Sequence, residues 1–488
     1  MITPPDINWI AILPEVVLAL GAAAVLLLDV QWKPHPRVVA QAGAGFLVVA
    51  ALAAIGQRWW LSNLDPETTA ASLVPFGGMV VIDGFAVFGR LLLVSVALLG
   101  LGAGWRFLAS LGRRAAEAVA LLLLSTAGFT LMASTPHLVM MFLGLEIGSI
   151  SLYVLAGFSR QEARSEEAAI KYFILGSFAS AVFIYGVALL FAGTGSVQLF
   201  EQRVFLAQNL LLRPAVLFIG LALTIVGLAF KVTAAPFHAW APDVYQGAPA
   251  GAVGFMAAAA KIGGFAALAR VLYTAFPDYV STWGVVVAGL AALSMLVGSF
   301  LAVVQDDLRR LLAYSGVAHA GFILTGLVAG PTGSPGVLFY LAVYTIQLVG
   351  AYAVVAAVSG GGSAGSPLDR YRGLGRRQPF LAAALTVTLL GMAGIPLTSG
   401  FIAKFGVFQD AWRAGFGWLV VVALLASVVS FFIYLRVIVA MYMWEAEGSE
   451  IAVTTPVRAV LSAVTAVTLV FGLLPGPLLR LASDALPL

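Results

Sequence analysis

Residues 214–246 read PAVLFIGLALTIVGLAFKVTAAPFHAWAPDVYQ. The run is longer than the ~20 residues that one membrane crossing needs, and Lys231 stands near its middle, with Pro236 five residues further on. Proline removes a backbone donor and frees carbonyls in the preceding turn. In lipid this is tolerated only where protein or water satisfies those groups. The stretch therefore predicts a discontinuous helix whose break marks a water-accessible, ion-handling position. A second stretch, 380–412, follows the same plan: GMAGIPLTSGFIAKF holds Pro396 eight residues before Lys404.

The rest of the chain agrees with a membrane setting. Of 488 residues, 61% are hydrophobic and 10% are charged, and the mean hydropathy is +1.02. A soluble domain carries roughly 25% charged residues. Apolar runs near spanning length fall at 9–30, 38–56, 83–104, 116–134, 137–158, 168–193, 214–246, 248–272, 281–304, 308–329, 336–358, 380–412, 417–443 and 457–475. The reading is an all-α polytopic membrane protein of about 14 transmembrane helices.

The two broken helices occupy corresponding places, each third after the long helices 137–158 and 308–329. Each group holds five helices, an odd number, so the second must be inverted relative to the first, the usual plan of ion-coupled transporters. The expected division is 1–115 (helices 1–3), 116–272 (first five-helix repeat), 281–446 (second, inverted repeat) and 447–488 (helix 14). The first residues lack the basic region of a cleaved signal peptide, so the first run is expected to remain as a helix.

Orientation follows from the basic residues. With the N-terminus outside, fourteen fall on inward loops, among them Lys33, Arg113, Arg160, Arg309, Arg310, Arg376 and Arg377. Six fall outward: Arg58, Arg203, Arg213, Arg270, Arg413 and Arg480. This asymmetry fits an even helix count, both termini on the outer (periplasmic) side, and a multi-pass protein of the cell (inner) membrane.

Composition also excludes functions. With no cysteine, cysteine-ligated clusters, thiol catalysis and disulfides are ruled out. The four histidines, His35, His137, His238 and His319, offer no i, i+4 pair for a haem or zinc site. No basic stripe with interleaved aromatics suggests nucleic acid. Glycine clusters such as GLGAG at 100–104 suit close helix packing rather than phosphate binding.

The most informative residues are the lysines. Of five, four (Lys171, Lys231, Lys261 and Lys404) lie in apolar runs, and only Lys33 is in a loop. A charge at mid-membrane costs roughly 2.5–3.5 kcal/mol. Arginine cannot release a proton at such a place, whereas a desolvated lysine can. Glu146, in LVMMFLGLEIGSISLYVLAGF, lies about ten residues from either end of its run. Lys231 is its natural partner; at roughly 6 Å and an effective dielectric near 20 the pair gains about 3 kcal/mol. Such a pair has the chemistry of a proton relay. Plainer readings stand beside these: snorkelling for Lys171 and Lys261, a structural ion pair for Lys231 and Lys404, a hydrogen-bonded core position for His319. Arg90, Arg436 and Glu15, a turn or two from helix ends, are expected to snorkel.

Several segments together carry a family resemblance: FLGLEIGSISLYVLAGF, EEAAIKYFILGSFASAVFIYGVALLF, GLAFKVTAAPFHAWAPDVYQGAP, DLRRLLAYSGVAHAGF, DRYRGLGRR and GIPLTSGFIAKF. Over about residues 80–445 the chain resembles the antiporter-like, proton-translocating membrane subunits of respiratory complex I, NADH-quinone oxidoreductase. These are related in turn to multi-subunit cation/proton antiporters. EEAAIKYFILGSFASA, together with lysine rather than glutamate at 404, is similar to the subunit N branch. The resemblance implies fourteen helices with two inverted five-helix repeats. It also implies a proton relay in which Glu146 and Lys231 lie near the inward half-channel, Lys261 and His319 are central, Lys404 leads outward and Lys171 is a further relay lysine. It implies no cofactor in this chain, with NADH, FMN, iron–sulfur clusters and quinone in partner subunits, and neighbouring membrane subunits as partners. The alternative is a subunit of a cation/proton antiporter. Two departures from the family pattern are Ser-Gly-Val before Ala-His, where Ser-Ser-Ile is commoner, and Ala403 in place of a frequent glycine.

Overall fold

The computed structural model describes residues 8–63, 73–159, 161–209, 214–362, 365–445 and 451–487; Arg160 and Arg213, counted above among the loop charges, lie outside them. Among the described residues there is no β-strand, and the chain is a bundle of long helices. Twelve are long and apolar enough to cross a membrane. Two further positions complete the expected fourteen. One is Leu308–Leu327, whose arginines and histidine lower its hydropathy; the other is the pair Pro379–Ala393 and Ser399–Arg413.

Both expected interruptions are present. The helix Pro214–Lys231 ends at Lys231, and Trp240–Gly247 resumes after a turn containing Pro236. Pro379–Ala393 ends at Gly394, in the left-handed region (φ 84°), and Ser399–Arg413 resumes after Pro396.

An inverted repeat is visible in the backbone. Where Leu138–Ala156 begins, Leu138 N donates to Val197 O and Leu199 N to Pro136 O, both at 2.9 Å. Where Leu308–Leu327 begins, Leu308 N donates to Ser366 O and Leu368 N to Asp306 O, both at 2.8 Å. Each start is capped by the side chain before it. His137 Nδ1 accepts from Met140 N at 3.4 Å, and Asp307 Oδ1 accepts from Arg309 N at 2.9 Å. Capping by an imidazole nitrogen needs the neutral ring, and burial holds His137 below its ordinary range. Five crossings separate the two starts, so they lie on opposite faces of the bundle.

The centre of the bundle is the helix Ala250–Arg270, buried along its whole length, packed on Ser334–Ser359. Peripheral helices expose apolar side chains outward, as Phe178, Leu425 and Val428 do, which suits contact with lipid rather than water. Small residues set the closest approaches. A Cβ on Gly128 would overlap the backbone of Gly144 and Gly148, so Ala115–Ser134 and Leu138–Ala156 pack backbone to backbone. Gly100 and Gly104 likewise lie against Phe255 and Gly251.

The start of the first helix and the last described residues lie on one face, the terminal face. There Arg58 pairs with Asp484 at 2.6 Å, and Gly84 lies against the Asp484 backbone. Beside them, Glu15 and Arg90 depart from the expected snorkelling. Arg90 is fully buried and donates to Glu15 Oε1 (2.8 Å), Gln57 Oε1 (3.0 Å) and Ala11 O (2.7 Å). Hydropathy sees only distance from a helix end, whereas three neighbouring segments close over this guanidinium. Arg270 and Arg309, counted as loop residues, are also fully buried. Arg436 does reach the boundary, pairing with the exposed Asp306.

Candidate functional site

The two helix breaks lie on either side of Ala250–Arg270, and a row of polar side chains runs between them. At the first break, Lys231 is buried and its Nζ donates to Ser149 Oγ at 2.6 Å. Three rings surround the ammonium, those of Phe129 (5.3 Å), Tyr172 (5.5 Å) and Tyr153 (5.7 Å). A cation among ring faces gains electrostatically where water is scarce.

Glu146 lies one helical turn before Ser149, yet no ion pair joins it to Lys231. The serine hydroxyl occupies the ammonium's reach, and Oε1 of Glu146 is buried without a hydrogen-bond partner. Geometry explains the difference from a contact pair. Ser149 points into the bundle, while Glu146 borders the outward stripe of Leu143, Ile147 and Ile150.

The chain after Lys231 leads directly to the next lysine. Thr233 adopts a left-handed conformation (φ 63°), which turns its hydroxyl and the Val232 carbonyl toward Ala250–Arg270. Lys261 Nζ donates to Thr233 Oγ1 at 2.5 Å and to Val232 O at 3.4 Å. On the other side of Lys261 stands Gly316, where a Cβ would lie 3.6 Å from the ammonium and 3.3 Å from the Tyr344 hydroxyl. That hydroxyl is buried with no hydrogen-bond partner.

His319, three residues beyond Gly316, is held on both nitrogens. Nε2 is 3.2 Å from the Tyr434 hydroxyl and Nδ1 is 3.1 Å from the Tyr340 hydroxyl. The Tyr344 ring stacks on the imidazole at 4.2 Å, and Ser315 hydrogen-bonds Tyr434. One turn on, Phe322 lies under Lys404, whose Nζ is 4.4 Å from the ring centroid. Lys404 Nζ donates to Ala393 O at 2.8 Å and to Ser427 Oγ at 3.3 Å. Ala393 closes the half-helix before the second break, so its carbonyl is one that the interruption frees.

Lys171 lies elsewhere. Its side chain is 41% exposed and pairs with Glu167 (2.6 Å) and Asp243 (2.8 Å) on the face opposite the termini. Asp243 also pairs with Arg310 at 2.6 Å. Arg164, Glu167, Lys171, Asp243 and Gln246 line an open polar cavity. The neighbouring Tyr172 turns inward, stacks on Trp240 and reaches Lys231, so Lys171 touches the buried row only through that ring.

Six predicted residues thus divide three ways: Lys231, Lys261, His319 and Lys404 in one row, Glu146 one turn from it, and Lys171 at the surface. Residues that sequence reasoning missed are Ser149, Thr233, Ser315, Tyr340, Tyr344, Tyr434 and the pair Asp243–Arg310. Tyr340 and Tyr344, one turn apart in an apolar helix, were a usable signal; serine and threonine in such helices are too common to be one. Among the described residues, no cluster of three or more His, Asp or Glu could hold a metal ion.

The profile of the family NADH:quinone oxidoreductase/Mrp antiporter, TM matches residues 135–430. NADH-quinone oxidoreductase subunit N of Trichlorobacter lovleyi is 39% identical over 485 residues, covering 99% of this chain and 98% of that one. Among solved structures, a chain of Thermus thermophilus respiratory complex I with bound aureothin is similar at 34% identity. Its TM-score is 0.77, over 96% of this chain and 98% of that one. A chain of the membrane-bound sulfane sulfur reductase, an archaeal respiratory membrane complex, superimposes with a TM-score of 0.86 at 25% identity, over 98% of this chain and 97% of that one. Matched along nearly its whole length in sequence and in fold, this chain belongs to the NADH-quinone oxidoreductase subunit N family of antiporter-like membrane subunits.

Proposed function

We propose that this chain moves protons through the membrane arm of an NADH:quinone oxidoreductase, using the row Lys231–Lys261–His319–Lys404. The observation that carries the reading is this row of four buried, titratable side chains strung between two helix breaks. Each amine or ring meets a hydroxyl or carbonyl at hydrogen-bonding distance. Electron transfer from NADH to quinone, with its FMN and iron–sulfur clusters, belongs to partner subunits, which also supply the signal that drives the row. Glu146 is the candidate to receive that signal: it lies one turn from Ser149, the hydrogen-bond partner of Lys231, beside an exposed apolar stripe suited to a neighbouring membrane subunit. Protons enter from the face opposite the termini, past the cavity around Lys171 and Asp243, and leave near Lys404 toward the terminal face. In this reading the terminal face is periplasmic and the protein lies in the inner membrane.

Moving one charge against 100 mV costs about 2.3 kcal/mol, comparable to the ~3 kcal/mol of a charge pair at roughly 6 Å. Switching Glu146 toward or away from Lys231 is therefore energetically sufficient to gate a step. The test is Lys231→Ala or Glu146→Ala in the assembled complex; a parental proton-to-electron ratio in either variant would refute the assignment. The family also includes subunits of cation/proton antiporters. Sodium-dependent flux without a quinone reductant would favour that reading.

A further inference from the structure

Two buried arginines take no part in the lysine row, and they sit at opposite ends of it. Arg270 is fully buried near the terminal face. Its Nη1 and Nη2 donate to the two carboxylate oxygens of Asp83 at 2.9 and 3.0 Å. Nε and Nη2 also donate to Ala133 O at 3.1 and 2.9 Å. The Phe85 ring covers the guanidinium at 4.8 Å. This cluster stands above the first break. Ala133 is one turn beyond Phe129, whose ring faces Lys231, and Arg270 is two turns along its helix from Gly263, which packs on that same ring.

Arg309 is fully buried near the opposite face. It donates to Gln246 O (2.9 Å), Ala248 O (3.2 Å), Gly362 O (2.6 Å) and Ser359 Oγ (3.4 Å), so carbonyls rather than a carboxylate hold its charge. It lies two turns before Gly316 on the same face of Leu308–Leu327, directly beneath the contact with Lys261. Gln246, whose carbonyl Arg309 holds, also lines the polar cavity.

We propose that Arg309, held by carbonyls alone, is a fixed positive seal that shuts the second repeat toward the face opposite the termini, whereas Arg270, neutralised by Asp83, is a structural pair. A guanidinium keeps its proton and cannot pass one on. Buried, it repels an approaching hydronium while its donors bind the carbonyls that would otherwise draw in water; arginine excludes protons from other pores in this way.

The inference rests on the proposed relay but is tested without electron transfer. Passive decay of an imposed pH gradient is measured in vesicles holding the assembled complex, with membrane potential clamped. Arg309→Gln is expected to speed decay about tenfold, the repulsion of charges some 10 Å apart at an effective dielectric near 20. Arg309→Lys, which keeps the charge, stays tight. Arg270→Gln with Asp83→Asn removes a pair of no net charge and stays tight; Arg309→Met, of similar length and uncharged, carries the test if Arg309→Gln fails to assemble. An assembled Arg309→Gln or Arg309→Met as tight as the parent overturns the proposal, as does Arg309→Lys, or the Arg270/Asp83 double variant, leaking like Arg309→Gln. Normal pumping by Lys404→Ala would instead refute the relay.

Discussion

Thr233→Gly separates stability from function at the joint between the two central lysines. Thr233 holds φ at 63°, a region costing a β-branched L-residue about 1–2 kcal/mol. Glycine removes that cost while adding ~0.5–1 kcal/mol of unfolded-state entropy. Set against the buried hydrogen bond that the change also removes, worth about 1.5–3 kcal/mol, this relief is expected to leave the fold between unchanged and about 3 kcal/mol less stable. The same change deletes the hydroxyl 2.5 Å from Lys261 Nζ. A hydrogen bond to a charged group is worth about 1.5–3 kcal/mol, so proton passage between Lys231 and Lys261 should slow about ten- to a hundredfold. The assay is proton translocation against NADH oxidation by the assembled complex in vesicles, with thermal unfolding followed in parallel. Parental turnover and stoichiometry in a fully assembled Thr233→Gly complex would show that this hydroxyl is not on the path. A loss of stability well beyond about 3 kcal/mol, the most that the lost hydrogen bond accounts for, would refute the strain argument instead.

Other perturbations have distinct signatures. Arg90→Ala strands the partly buried Glu15 and should cost about 3–5 kcal/mol, read as a lower melting temperature of the complex; an unchanged melting point would contradict the burial of that pair. Lys171→Ala breaks two partly exposed ion pairs and should change stability by no more than about 1 kcal/mol. Its pumping defect should be smaller than that of Lys261→Ala, and equal defects would place Lys171 within the essential row. Gly128→Val drives a side chain into the Gly144 and Gly148 backbone and should prevent accumulation of the folded chain; normal yield would mean the two helices can part. Tyr434→Phe removes the hydroxyl shared by His319 and Ser315 and should slow coupled turnover without loss of assembly, whereas parental turnover would make that hydroxyl structural.

Much of the site was legible because membrane depth makes charge expensive. A lysine in an apolar run has few reasons to be there, so Lys231, Lys261 and Lys404 stood out by placement alone, and prolines 236 and 396 marked both breaks. Lys171 showed the limit of that logic. Its run is apolar on average, yet its helix begins eight residues earlier and keeps it at the water boundary, where Glu167 and Asp243 claim it. Glu146 showed another, since depth along the chain says nothing about which side of a helix faces the bundle.

Length, hydropathy and the period of apolar runs by themselves determined an all-helical membrane bundle of fourteen crossings with two interruptions, because the cost of exposing backbone to lipid leaves no other solution. Only the tertiary structure decided that Ser149 stands between Glu146 and Lys231. It alone revealed that a left-handed threonine links two lysines 30 residues apart, that Arg90 is buried rather than snorkelling, and that Arg270 and Arg309 are buried rather than looped. Those facts depend on which helix faces which, and such contacts are set by the packing of segments distant in sequence rather than by the composition of any one of them.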